Sequence, residues 1–163
     1  MIYARPNRLS RRRLLVGLLG CLGGLGSMVA PLRKARPADA LPEKLAPLIR
    51  QATGGVMPQV GRVTLTLPTL AESGNSVRLQ VRVESPMTPE AHVKQIHIFS
   101  EKNPRPVIAR FSLGPRAGRA EIHTRIRLAG TQQVVAVAIM NDGTTWMASA
   151  EVVVTAAACV EGS

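Results

Sequence analysis

The chain has 163 residues and a formal net charge of +11, but eight of its 21 Lys and Arg residues fall before residue 41, opposed there only by Asp39. From Leu41 onward 13 basic residues face 9 acidic ones, a balance of about +4 that is ordinary for a surface. With Phe99, Phe111 and Trp146 as the aromatic residues of that part, a nucleic-acid partner is disfavoured, since it would need a basic face or stacking platforms.

The first element is a leader. Ser10 and the arginines Arg11, Arg12 and Arg13 precede the apolar, glycine-rich run LLVGLLGCLGGLGSMVA. This is a twin-arginine export pattern, with Arg11 and Arg12 the expected essential pair. The basic residues of PLRKARP suit that route, and Ala38-Asp39-Ala40 offers the small residues a signal peptidase cuts after. Cleavage is expected after Ala40, giving a periplasmic protein with no stable membrane association. Two alternatives stand beside this. The run of about 17 residues could anchor the chain, although its five glycines weaken a membrane span. Cys21 could be lipidated, although the apolar run continues past it.

The mature part opens with a short amphipathic helix. Leu41, Leu45, Leu48, Ile49 and Ala52 recur at helical spacing, Pro47 limits the element to about two turns, and Gly54-Gly55 ends it. The period then changes to two. Strands are expected in VTLTL from Val63, VRLQVRV from Val77, VKQIHIF from Val93, VIARFSL from Val107, EIHTRIRL from Glu121, VVAVAIM from Val134 and TTWMASAEVVVT from Thr144. The run Val134 to Met140 is continuously apolar, as a central strand would be. The turn-forming stretches ESGN, SPMTPE, KNPRP, GPRAG, AGTQ and NDG separate the strands. Seven short strands in about a hundred residues predict an all-β fold, an antiparallel β-sandwich of immunoglobulin type, with a barrel as the alternative. The expected organisation is a leader over 1–40, one sandwich domain over 41–154 and a C-terminal arm over 155–163.

Enzyme chemistry lacks its usual parts. The sequence has no G-x-S-x-G, C-x-x-C or H-E-x-x-H motif and no phosphate-cradling loop. The histidines are His92, His97 and His123; His97 and His123 sit in strand patterns and read as solvent-facing. A copper site built from them with Met87, Met140 and Met147 has no ligand logic in its spacings, so no metal or cofactor is expected.

Cys159 is what remains. Once Cys21 leaves with the leader, it has no intramolecular disulfide partner, and a leftover cysteine in an exported protein points to an intermolecular bond or a working thiol. Glu161 and the terminal carboxylate nearby do not favour a thiolate, so Cys159 reads as a handle activated by other proteins rather than as a nucleophile. An incidental cysteine in a frayed tail is the plainer reading. Ala156, Ala157 and Ala158 bury little and nothing after Thr155 alternates, so residues 156–163 are expected to move freely with Cys159 accessible.

The stretches LTLPTLAESGNSV, SPMTPEAHVKQIHIFSEKNPRPVIARFSLGP, TRIRLAGTQQVVAVAIMNDGTTW and VVVTAAAC together resemble the SoxY family, sulfur carriers of the periplasmic thiosulfate-oxidising system. The resemblance implies an immunoglobulin-like sandwich, a flexible swinging arm, and sulfur intermediates held covalently on Cys159 with no other cofactor. It implies a non-catalytic carrier subunit that forms a heterodimer with a SoxZ-like subunit and is visited by SoxXA-like, SoxB-like and sulfur-dehydrogenase-like enzymes. The family arm usually ends Gly-Gly-Cys-Gly-Gly; here Ala157-Ala158 and Val160-Glu161 flank the cysteine instead. Alanine keeps the arm slim but loses positive-φ conformations, and Val160 is stiff. The arm could therefore serve different partner enzymes or a different cargo. A chain of another class, a periplasmic binding or assembly module with an incidental cysteine, is the alternative.

Overall fold

The computed structural model describes residues 41–158. Arg11, Arg12, Cys21, Cys159 and Val160 lie outside these residues, and with them the readings of export, lipidation and sulfur attachment.

A 3-10 turn at Glu43–Leu45 runs into the helix α1 (Ala46–Ala52). Pro47 sits in the first turn of α1, where its missing N–H costs no hydrogen bond, so it starts the helix rather than interrupting it. The helix stops where the Thr53 hydroxyl turns back to the Ile49 carbonyl at 2.9 Å, and Gly54 and Gly55 follow at φ 68 and 95.

Nine strands follow among the described residues: β1 (Gln59–Val60), β2 (Val63–Thr66), β3 (Leu70–Ser73), β4 (Val77–Val83), β5 (Val93–Ser100), β6 (Val107–Ser112), β7 (Glu121–Ile126), β8 (Gln132–Met140) and β9 (Thr145–Ala156). The larger sheet is ordered β1-β9-β8-β5-β6, with β3 also paired to β9; the smaller is β2-β4-β7. The architecture is the expected immunoglobulin-like sandwich, mostly antiparallel, with one short N-terminal helix. Seven strands agree with the period-two runs. The sequence does not anticipate β1 and β3, and both join β9 in parallel.

The core lies between the sheets. Val77, Leu79, Val81 and Val83 of β4 meet Ile96 and Ile98 of β5, Val134, Ala136 and Ala138 of β8, and Val152 and Val154 of β9. The strand β8 is apolar throughout because both of its faces are covered. Val135 and Val137 point away from the sandwich core and pack with Phe99 and Met147 beneath Leu45 and Ile49 of the N-terminal helix segment. The helix is thus a third layer over the outer face of the larger sheet.

His97 departs from its expected solvent-facing position. It is buried at 4% exposure and stacks on Phe99 with ring centroids 6.1 Å apart. Period-two alternation assigns it to the outer face correctly, but that face of the larger sheet is itself covered. His123, on the smaller sheet, is exposed as expected.

Candidate functional site

The site begins where β9 ends. Ser73 of β3 is the register partner of Ala156, and the Thr155 hydroxyl donates to the Glu72 carbonyl at 2.8 Å. Three backbone hydrogen bonds then close a ring. The Gly74 N–H donates to the Ala156 carbonyl at 2.7 Å, the Leu128 N–H to the Gly74 carbonyl at 2.9 Å, and the Ala158 N–H to the Leu128 carbonyl at 3.1 Å. Gly74 is buried, and a Cβ on it would collide with the Leu128 carbonyl oxygen and stand 3.0 Å from the Ala158 nitrogen. Only glycine fits there.

This geometry changes the expected arm. Its described part, Ala156 to Ala158, is tied down: Ala156 closes β9, Ala157 is exposed, and Ala158 is half-buried and bonded to Leu128. The strand β9 runs two residues past position 154. The alanines do bury little, but backbone groups do the holding, each such bond contributing a net ~0.5–1.5 kcal/mol. Side-chain patterning carries no trace of bonds of that kind. The sign available in the sequence is Gly74 itself, in a stretch read only as a turn.

Beside the same β3–β4 turn lies an open groove of about 1030 Å³. Thr66, Leu67, Pro68, Glu72 and Ser73 border it, and the β4 and β7 strands contribute Arg78 and Arg125. Along the β4–β7 ladder Arg78 faces Arg125, Gln80 faces His123, and Arg82 faces Glu121. Gln80 Nε2 donates to Glu121 Oε1 at 2.9 Å, and His123 Nε2 lies 2.9 Å from the same oxygen. The hydrogen bond from His123, with that from Gln80, holds the Glu121 carboxyl below its ordinary range. The Arg125 guanidinium donates from Nη1 to Ser76 Oγ at 3.1 Å.

The remaining polar groups are scattered. Burial lowers the His97 pKa below its ordinary value, and the Arg110 charge adds to this. Its Nε2 lies 3.2 Å from Gln95 Oε1, while its Nδ1 is buried without a partner. The side-chain polar atoms of Ser100, Thr145 and Trp146 are likewise buried without partners. The three methionines weighed for copper are core residues: Met87 and Met140 lie between the sheets and Met147 lies beneath the helix. Among the described residues no group of His, Cys, Asp and Glu could hold a metal ion.

Residues 49–159 match the family described as "Sulfur oxidation protein SoxY". The sulfur carrier protein SoxY from Chlorobium limicola f thiosulfatophilum has a similar structure, with a TM-score of 0.57 at 30% sequence identity, covering 69% of this chain and 96% of that one. A superoxide reductase (neelaredoxin) from Ignicoccus hospitalis gives a TM-score of 0.53 at 15% identity, covering 72% of this chain and 92% of that one. The superoxide reductase from Nanoarchaeum equitans gives 0.50 at 13% identity, covering 59% and 100%. These last two likenesses are of fold alone. No curated protein sequence matches the chain.

Proposed function

The chain belongs to the SoxY family and is a sulfur carrier in sulfur oxidation; from that premise we propose that it holds sulfur covalently on Cys159, in the periplasm, paired with a SoxZ-like subunit. One observation carries the reading: the family match ends on Cys159, one residue beyond the Ala158 amide that the Gly74–Leu128 ring secures. The chain supplies a base and a thiol. SoxXA-like, SoxB-like and sulfur-dehydrogenase-like enzymes supply the chemistry.

The ring sets the terms of a visit. While Ala158 is bonded, Cys159 lies one residue from a fixed point, about 3.3–3.6 Å of chain. Breaking the Ala158–Leu128 and Gly74–Ala156 bonds moves the fixed point back to Thr155 and extends the reach to roughly 13–14 Å. An enzyme that takes the thiol into a channel must therefore displace those two bonds.

The partner surface in this reading includes the exposed apolar pair Leu70 and Val153, which face each other across β3 and β9. Export follows the twin-arginine route through Arg11 and Arg12, and changing both to Lys traps the precursor in the cytoplasm.

The deciding measurement is intact and peptide mass spectrometry of the protein from the native periplasm during growth on reduced sulfur. Sulfur-containing adducts on the Cys159 peptide, absent from Cys159→Ser, are expected. A bare thiol under those conditions overturns covalent carriage and leaves a binding or assembly module.

A further inference from the structure

We propose that the groove beside the β3–β4 turn is an oxyanion site, with Arg78 and Arg125 as its cationic ligands and the Ser76 hydroxyl beside them. The register places the two arginines directly opposite each other on one face of the β4–β7 ladder. Like charges in that arrangement cost a sheet stability. Two rows along, the same ladder sets Arg82 against Glu121, so the face does accommodate an opposite pair. The Glu121 carboxylate is engaged by Gln80 and His123, and neither Arg78 nor Arg125 forms an ion pair among the described residues. Glu72 also lines the groove, leaving two guanidinium groups against one carboxylate.

The ligand class follows from the donors. Guanidinium groups are planar forks suited to bidentate contact with oxyanions, and a pair of them suits a doubly charged tetrahedral group. The turn links this site to the tail. Gly74 holds Ala156 by a backbone bond, and two residues later Ser76 accepts from Arg125. A sulfate-like group in the groove has two possible sources: a free ion, or the anionic end of a group carried on Cys159. Only the second source rests on the carrier reading.

The test uses sulfate, which does not react with a thiol, titrated at constant ionic strength against chloride into protein purified from its native host. Amide chemical shifts are the readout. Saturable shifts are expected at Ser76, Arg78 and Arg125, weakened about tenfold or more in Arg78→Gln/Arg125→Gln. Arg78→Glu keeps the proposal testable if neutral variants fold poorly: it creates a cross-strand ion pair with Arg125, so it should raise the thermal midpoint while abolishing sulfate binding. Shifts that do not saturate, or that persist in the double variant, overturn the site. So does a groove that responds only to an added acidic partner peptide.

Protein bearing a Cys159 adduct separates the sources. Groove amides already shifted and insensitive to sulfate identify the carried group as the occupant; an unchanged titration identifies the free ion. If mass spectrometry finds no adduct while sulfate still binds, the carrier reading falls and the site stands.

Discussion

Gly74 and Leu128 meet backbone to backbone. The Leu128 N–H donates to the Gly74 carbonyl at 2.9 Å, and the Leu128 carbonyl oxygen occupies the space that a side chain on Gly74 would need. Through this contact the β3–β4 turn, the segment after β7 and the end of β9 become one unit. Gly74→Ala forces the two backbones apart and should cost about 1–3 kcal/mol, as overpacking at a tight site does. Urea unfolding measures the cost. Hydrogen exchange at the Ala158 amide should speed up by more than the global loss of stability explains. An unchanged Ala158 rate in a destabilised variant would show that the ring does not hold the tail.

The helix layer gives a second prediction. Ile49 is fully buried against the outer face of the larger sheet, among Phe99, Val135, Val137 and Met147. Ile49→Ala should lower stability by about 2–5 kcal/mol, since a strand-backed site collapses poorly around a cavity. A loss below about 0.5 kcal/mol, the range of surface changes, would mean the helix is not part of the cooperative unit.

Leu70 and Val153 are register partners at 56% and 45% exposure. Leu70→Glu should leave the isolated fold within about 0.5 kcal/mol of the parent. If the proposed SoxZ-like subunit docks there, the change should weaken its binding by about tenfold or more, as placing a charge in an apolar contact does. Sedimentation of the pair at graded concentrations reads this directly. Undiminished binding would move the partner to another face.

Acid sensitivity should trace to His97. Burial and then Arg110 depress its pKa below the ordinary 6.5, so the unfolded chain takes up the proton first. Its contribution is therefore fully present above about pH 6.5 and is lost as pH falls toward the lowered folded value, at no more than ~1.4 kcal/mol per pH unit for one proton. His97→Gln removes that titration and should flatten the limb that descends from about pH 6.5 in urea midpoints. Parallel limbs in parent and variant would assign the acid sensitivity elsewhere.

The strand β8 was legible as an unbroken apolar run because both of its faces are covered, whereas β4 was legible because it buries one face: VRLQVRV alternates without exception, and its burial alternates with it. The helix was legible for the same reason, through Leu45 and Ile49. The strand β3 was not, because LAES carries a single buried residue, Ala71, and takes its place from hydrogen bonds to β9. The covered face over His97 was hidden too. The sequence shows that His97 and Phe99 share a side of one strand, but the layer above that side comes from residues 41–52, far away in the chain. Cys159 could be singled out by elimination and by resemblance, yet the ring that secures the residue before it is made wholly of backbone groups and one glycine.

The parallel pairing of β3 with β9 has a mechanical consequence. Leu70, Ala71 and Ser73 are matched to Val153, Val154 and Ala156 along the strand direction. A pull on the tail along the β9 axis therefore loads these bonds in shear, together, instead of peeling them one at a time. Beyond the short segment from Ala156 to Ala158 the load meets a ladder that shares it with β8, paired to β9 from Thr145 to Val152. The single Ala158–Leu128 bond beyond that ladder yields first, so the domain behaves as a stiff post with a short, breakable tether.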